Sequence, residues 1–200
     1  MSKTEVIVDE FLSDISTPRN RKQLRRYYDA IMRKVEVDTN LTKLARLRKG
    51  LFKEFFEELS PLLVFSESTY CNDNSLFYIV VGNQHYDAII KTDSFEKKVE
   101  FSKYENGHLN NQFAKQLNEH GVTDVIFRDV DEDMNEYLVQ FQRCVKKKAN
   151  NCYIDTDIIF IIDIGEVYRF IYDFNIDNFK NNLKEILMEV NFKGNRVYLM

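Results

Sequence analysis

Two carboxylates on neighbouring predicted strands are the residues best suited to do chemistry. The segment from Leu76 to Tyr104 contains three runs of β-branched and aromatic residues separated by GNQ and TDS turns, which predicts two consecutive hairpins. If the second hairpin turns at Thr92–Phe95, antiparallel counting places Asp87 opposite Glu100 on one face of the sheet. Opposed like charges cost stability, so this pair indicates a site for a hard cation such as Mg²⁺. The alternative is a solvated sheet face on which nearby lysines pair with the two acids.

A third acid is expected from the helix that precedes the strands. Apolar residues at helical spacing predict a helix that ends near Leu59, and Glu54, Glu57 and Glu58 lie in its last turns. Acids at a helix C-terminus oppose the helix dipole, at a cost of up to about 1 kcal/mol each. We expect one of the three to approach the strand acids and take Glu57 as the candidate metal ligand. The alternative is that all three are solvated.

The remaining elements follow from apolar periodicity and from residues typical of helix ends. Helices are predicted within 1–16, from Thr17-Pro18 to Glu36, from just after Asp38-Thr39-Asn40 to Leu59 with Pro61 soon after its end, and at His108–His120, Met134–Ala149 and Ile176–Val190. Strands are predicted at Leu76–Val81, Tyr86–Lys91, Lys98–Tyr104, within Val122–Val130, at Tyr153–Ile164 and at Arg196–Met200. The continuous apolar run in Tyr153–Ile164 is typical of a strand buried on both faces. This order predicts an α/β fold with a mixed sheet, in which a basic helical segment (1–60) packs on a mixed core (61–200) as one structural domain.

Charge is distributed unevenly along the chain. The segment Thr17 to Lys53 contains twelve Lys or Arg and three Asp or Glu, a net charge of +9, whereas the whole chain has a net charge of −4. The remaining residues therefore carry −13. This asymmetry predicts a basic face on an acidic body.

Composition is typical of a globular protein of the cytoplasm. The 200 residues are 44% hydrophobic and 30% charged, and no apolar run reaches membrane-spanning length or forms a signal peptide. Cys71, Cys144 and Cys152 show neither a CxxC nor a zinc spacing, which favours packing thiols in a reducing compartment. The sequence contains no Gly-rich phosphate loop, no G-x-S-x-G elbow and no H-x-x-x-H pattern.

The order helix, three-stranded meander, helix and buried strand resembles the PD-(D/E)xK nuclease superfamily, which includes many restriction enzymes and phage or repair nucleases. The resemblance covers about Lys43–Ile164 and rests on Asp87 in HYDAII and Glu100 in VEFSK, with twelve residues between them. It implies a restriction-endonuclease-like three-layer core with an N-terminal helical segment. It also implies Mg²⁺ or Mn²⁺ held by the two acids, and a lysine two residues beyond the second acid.

The lysine is where the chain departs from the family pattern. Ser102 stands two residues after Glu100, and Lys103 lies one residue further, on the opposite face by strand alternation. Three lysines are therefore candidates for the catalytic amine. Lys98 shares a face with Glu100, Lys103 would turn inward at a β-bulge, and Lys115 would reach the site from the following helix.

Two further polar features leave open which residues complete the site beside Asp87 and Glu100. A literal ExK occurs as Glu96-Lys97-Lys98, but it lies nearer the turn, where counting places Glu96 across from Ile90 or Lys91. Gln112, on the helix after the strands, is a candidate for orienting a phosphate or a water molecule.

Together these features predict Mg²⁺-dependent hydrolysis of DNA by a restriction, phage or bacterial-defence endonuclease. The metal ion polarises the scissile phosphate and lowers the pKa of a bound water, while the lysine positions that water. Arg21, Arg25 and Arg26 are predicted to contact the DNA backbone; the alternative is a solvated face or a contact with a partner subunit.

Two other functions remain open. The first is a non-catalytic nuclease-like module that binds nucleic acid or protein, as an accessory protein of a phage or defence system or as a homodimer. The second is an immunity-type partner whose acidic body neutralises a basic toxin.

Overall fold

Two units make up the chain. The computed structural model describes residues 8–82, 84–103, 105, 107–123, 130–151, 153–162, 175–193 and 195–200, with the backbone alone at 130, 131 and 133. The first unit comprises Met1–Phe101 with Asn106–Asp124, and the second comprises Ser102–Glu105 with Val125–Met200. Strands pair antiparallel in the first unit and parallel in the second, so the predicted α/β class with mixed strand pairing is confirmed.

In the first unit a short strand and a run of helices precede three consecutive strands and a further helix, whereas in the second unit the described helices and strands alternate. Up to the end of α5 the elements are β1 (Arg19–Asn20), α1 (Arg21–Val37), α2 (Thr39–Arg46), the single turn α3 (Phe52–Glu54), a π-helical turn (Phe55–Leu59), α4 (Ser60–Ser66), β2 (Leu76–Ile79), β3 (Ala88–Lys91), β4 (Glu96–Lys103) and α5 (Gly107–His120). They are followed by α6 (Val130–Asn150), β5 (Thr156–Ile161), α7 (Ile176–Met188) and β6 (Val197–Leu199).

The first long helix begins later than the sequence predicts. Asn20 caps α1, because its side chain accepts the Gln23 N–H at 2.9 Å while the Gln23 side chain accepts the Asn20 N–H at 3.0 Å. This reciprocal pair is a capping box. The prediction that Thr17-Pro18 starts the helix is therefore wrong. Arg19 and Asn20 instead pair with β2 as a short strand.

The second long helix is divided. α2 ends at Arg46, and the chain turns through Arg48 and Gly50, which have φ angles of +49° and +55°. A Cβ atom at Gly50 would lie 3.0 Å from Asp9 Oδ1, so the backbone conformation and the close approach of residue 9 both favour glycine. The single helix predicted to run from just after Asn40 to Leu59 is therefore interrupted.

Pro61 does not follow the end of a helix. It lies in the first turn of α4, where a missing N–H is tolerated, and α4 continues directly from the π-helical turn. The helical backbone therefore extends to Ser66, beyond the predicted end at Leu59.

The predicted hairpins form the sheet of the first unit. The Thr92 N–H donates to the Phe95 carbonyl at 2.9 Å, so the second hairpin turns at Thr92–Phe95, as predicted. Strands β2, β3 and β4 share a buried apolar face made by Phe77, Ile79, Ala88, Ile90 and Val99. Across the strands, Phe77 pairs with Ile90, Ile79 with Ala88, and Ala88 with Val99. This apolar face fixes the register of the strands that lead to Asp87 and Glu100.

The second unit has its own core. All six residues of β5 are buried, as the continuous apolar run predicts, and β5 pairs parallel with β6. The Phe160 ring of β5 contacts the ring of Phe141 on α6 with centroids 5.5 Å apart. Phe179 and Leu183 of α7 belong to the same cluster.

The short strand predicted within Val122–Val130 lies mainly at 124–129, outside the described residues. Among the helices that the structure describes, none is long and apolar enough to cross a lipid bilayer.

Candidate functional site

Asp87 lies immediately before β3, at an irregularity in the sheet. Its N–H donates to the Val99 carbonyl at 2.9 Å, although Val99 is the ladder partner of Ala88. Two successive residues on one strand therefore face one residue of β4, which is the arrangement of a β-bulge. The Asp87 carbonyl accepts the Val80 N–H at 2.9 Å, so hydrogen bonds on both sides hold the backbone of Asp87.

The bulge determines what the Asp87 side chain reaches. Extending the register from Ala88 and Val99 by simple alternation places Asp87 opposite Glu100. In the structure, Asp87 Oδ2 accepts the N–H of Phe101, the residue after Glu100, at 2.7 Å. The carboxylate therefore lies along the backbone of β4 beside the half-buried Glu100.

Glu58, on the π-helical turn, is electrostatically coupled to these two acids. Its Oε2 atom is buried and has no hydrogen-bond partner among the described residues. The pKa of Glu58 is raised to about 8, mainly by burial and then by the negative charges of Asp87, Glu54 and Glu100, against the opposing charge of Lys53. We refer to these four acids, Glu54, Glu58, Asp87 and Glu100, as the carboxylate site.

The π-helical turn determines which glutamate approaches the strands. The Ser60 N–H donates to the carbonyl of Phe55, five residues earlier, so the turn accommodates one extra residue. Glu58 is half-buried, whereas Glu57 is exposed and pairs with Arg48 at 2.9 Å. The structure thus brings Glu58 toward the strand acids and leaves Glu57 at the surface. No feature of the apolar periodicity signals a π-helical turn.

The three lysines considered for the site have different surroundings. The Lys98 Nζ lies 5.1 Å from the centroid of the Tyr86 ring, a cation–π contact. The Lys103 Nζ pairs with Glu105 Oε1 at 2.7 Å. Lys115 is exposed on α5. Lys53, which the sequence marked only as the end of the basic segment, also acts on this site, because its charge opposes the rise in the pKa of Glu58.

The literal ExK segment lies at the start of β4. Glu96 is exposed and is the ladder partner of Lys91, one of the two positions that counting predicts. Gln112 is exposed on α5.

Two of the three arginines predicted to contact DNA form ion pairs within the chain. Arg21 pairs with Asp73 at 2.9 Å. Arg25 donates two hydrogen bonds to Glu67, at 2.8 and 2.5 Å. Arg26 is exposed. Two of these cations would therefore have to exchange an internal carboxylate for a phosphate.

The carboxylate site has the donor chemistry of a magnesium site. All four side chains offer carboxylate oxygens, which Mg²⁺ and Mn²⁺ prefer. Among the residues that the structure describes, no group of three or more His, Cys, Asp or Glu side chains is arranged to hold a metal ion. A cation would nevertheless supply a partner to Glu58 Oε2, which has none among the residues that the structure describes. The residues fit a divalent ion by chemistry, and their side chains would have to close around it.

Comparison with known proteins identifies no family. No protein-family model, no curated protein and no solved structure matches the chain. The resemblance to the PD-(D/E)xK superfamily therefore rests on the order of elements and on the positions of the acids.

Proposed function

We propose that the protein is a Mg²⁺- or Mn²⁺-dependent nuclease that hydrolyses phosphodiester bonds in DNA. The observation that carries the proposal is the grouping of Glu58 with Asp87 and Glu100, in which Glu58 Oε2 is buried without a hydrogen-bond partner among the described residues. Mutually repelling carboxylates are stabilised when a divalent cation binds among them. The antiparallel meander followed by α5 agrees with the element order of the PD-(D/E)xK superfamily.

The residues of the site have separate roles in this proposal. A divalent ion bound there would polarise the phosphate and ionise a water molecule. Asp87 offers an oxygen fixed in place, because its carboxylate accepts the Phe101 N–H at 2.7 Å. Glu58 and Glu100 complete the donor set. Lys53 is exposed beside these acids and offsets the negative charge of a phosphate drawn to the site.

The described cysteines support the cytoplasmic location that the sequence predicts. Cys71 and Cys144 form no disulfide, and burial raises the pKa of the Cys71 thiol, which lowers its reactivity. Both behave as packing residues suited to a reducing compartment.

Degradation of DNA by the wild-type protein tests the proposal. We expect plasmid or single-stranded DNA to be cut with Mg²⁺ or Mn²⁺ and to remain intact with EDTA, because the metal supplies the Lewis acid. Gel electrophoresis over a time course measures this. Cutting that persists in EDTA would contradict a metal-dependent mechanism.

A non-catalytic module that binds nucleic acid or protein is the second candidate. It is favoured by the ion pair of Lys103 with Glu105 and by the contact of Lys98 with the Tyr86 ring, since both candidate lysines are engaged. A wild-type protein that binds DNA but cuts none of it with either metal would select this alternative.

A further inference from the structure

Exposed cations follow the chain from α2 to α3. Lys43 and Arg46 lie on α2, Lys49 lies in the turn that contains Gly50, and Lys53 lies on α3; all four side chains are exposed. None of them forms a salt bridge to an acid within the described part of the chain. We refer to these four residues as the basic surface.

A neutral residue orients part of the basic surface. The Arg46 Nη1 donates to Asn118 Oδ1 at 3.3 Å, and Asn118 Nδ2 donates to the Lys43 carbonyl at 3.0 Å. Asn118 on α5 thus holds α2 and the Arg46 side chain in place. Because an amide carries no charge, the guanidinium keeps its full charge for an external anion.

Three of the six cations of α1 have internal partners, whereas Lys22, Arg26 and Arg33 are exposed and form no salt bridge within the described part of the chain. Arg21 and Arg25 pair with Asp73 and Glu67, and Arg25 also lies 3.9 Å from Asp29. The Lys34 Nζ lies 5.5 Å from the centroid of the Phe11 ring. An anionic polymer would have to displace internal acids at Arg21 and Arg25, whereas the cations of the basic surface hold no acid within the described part of the chain.

The basic surface borders the carboxylate site. Lys53 is adjacent in sequence to Glu54, and the Lys53 charge acts on Glu58. A phosphate group bound at Lys53 would therefore lie close to the acids. Because those acids and the phosphates repel each other, a divalent ion that binds both would be needed between them.

We propose that the sugar–phosphate backbone of a nucleic acid binds along Lys43, Arg46, Lys49 and Lys53 and enters the carboxylate site at Lys53. This inference rests on the proposed function for the identity of the ligand. It moves the main backbone contact from the arginines of α1 to the α2–α3 segment. Contacts to phosphates alone carry no base readout, so binding at this surface is independent of sequence and sensitive to salt.

Binding of a fluorescent 20-base-pair DNA duplex to the full chain tests the inference. Anisotropy is measured in EDTA at salt concentrations from 50 to 200 mM, with a single strand of the same sequence as a second probe. We expect the triple variant Lys43→Gln, Arg46→Gln, Lys49→Gln to bind about tenfold more weakly or worse at ~100 mM salt. The slope of log K against log salt should fall by about 2 to 3, roughly one for each lost contact.

The matched control removes the same residue types from α6. Arg143, Lys146 and Lys147 are exposed, and their replacement by Gln removes one arginine and two lysines, as in the test variant. We expect the control to keep the wild-type slope. Melting curves establish that both variants are folded, which we expect because all six side chains are exposed.

The outcomes separate this inference from the proposed function. An unchanged slope in the test variant, or an equal loss of affinity in the control, would contradict DNA binding at the basic surface. Metal-dependent cleavage would still be judged by its own assay. A wild-type protein that binds neither probe would also overturn the proposed contact at the basic surface, and metal-dependent cleavage would again be judged by its own assay. Because EDTA prevents metal-dependent cleavage, an inactive site cannot imitate a binding defect.

Discussion

Replacing Glu58 with glutamine is expected to lower metal-dependent DNA cleavage at least about a hundredfold, the scale of losing one electrostatic group from an active site. The reason is that Glu58 is the helix acid whose charge is coupled to Asp87 and Glu100. Asp87→Asn and Glu100→Gln should have effects of similar size. The amide oxygen that Asp87→Asn introduces can still accept the Phe101 N–H, so the fold should survive this change.

Glu57 provides a control at the adjacent position. Its side chain is exposed and pairs with Arg48, so Glu57→Gln should leave cleavage within about twofold and lower stability by no more than about 1 kcal/mol. Initial rates on plasmid DNA with Mn²⁺ measure both variants. If Glu58→Gln cleaves at the wild-type rate and Glu57→Gln does not, the third metal ligand is Glu57, as the sequence predicted.

The second large effect concerns stability and pH. The pKa of Glu58 is raised to about 8 in the folded protein, against an ordinary value of 4.5. Between these two values the folded state binds more protons at this position than the unfolded state does. In metal-free solution this residue's contribution to the free energy of unfolding therefore decreases as pH rises from about 4.5 to about 8, and is constant above that.

Glu58→Gln should remove this pH dependence. Above pH 8 we expect the variant to be more stable than the wild type by about 2 kcal/mol, a value discounted because water screens a half-buried side chain. Near pH 4 the two proteins should have similar stability. Urea unfolding in EDTA at both pH values measures the difference. The opposite result would be a wild-type free energy of unfolding that increases relative to that of Glu58→Gln as pH rises. It would show that Glu58 is ionised and stabilised by a partner.

The sequence predicted the regular parts of the fold well. Runs of β-branched and aromatic residues, with the turn residues between them, located the hairpins and the turn at Thr92–Phe95, and a continuous apolar run located β5. The end of α5 was marked by Gly121, which has φ of +75° and donates its N–H to the Leu117 carbonyl at 3.1 Å. These features depend on local chemistry that a single sequence displays.

The irregular parts were not predictable by the same means. The division between α2 and α3 at Gly50 depends on the packing of Asp9 against the turn, a contact distant in sequence. The π-helical turn and the bulge at Asp87 each insert one residue into a regular pattern. Such an insertion changes the direction of a side chain without changing residue composition. The sequence therefore placed Asp87 and Glu100 on neighbouring strands, but it favoured Glu57, whereas the structure couples Glu58 to these acids.

Calorimetric titration of Mn²⁺ into the wild-type protein, without DNA and near pH 8, tests most directly whether the carboxylate site holds a divalent ion. Asp87→Asn serves as the comparison, since it removes one charge from the site and retains the acceptor for Phe101. The proposal predicts saturable binding to the wild type and loss of that binding in Asp87→Asn. Absence of saturable binding to the wild type, or equal binding to both proteins, would contradict it.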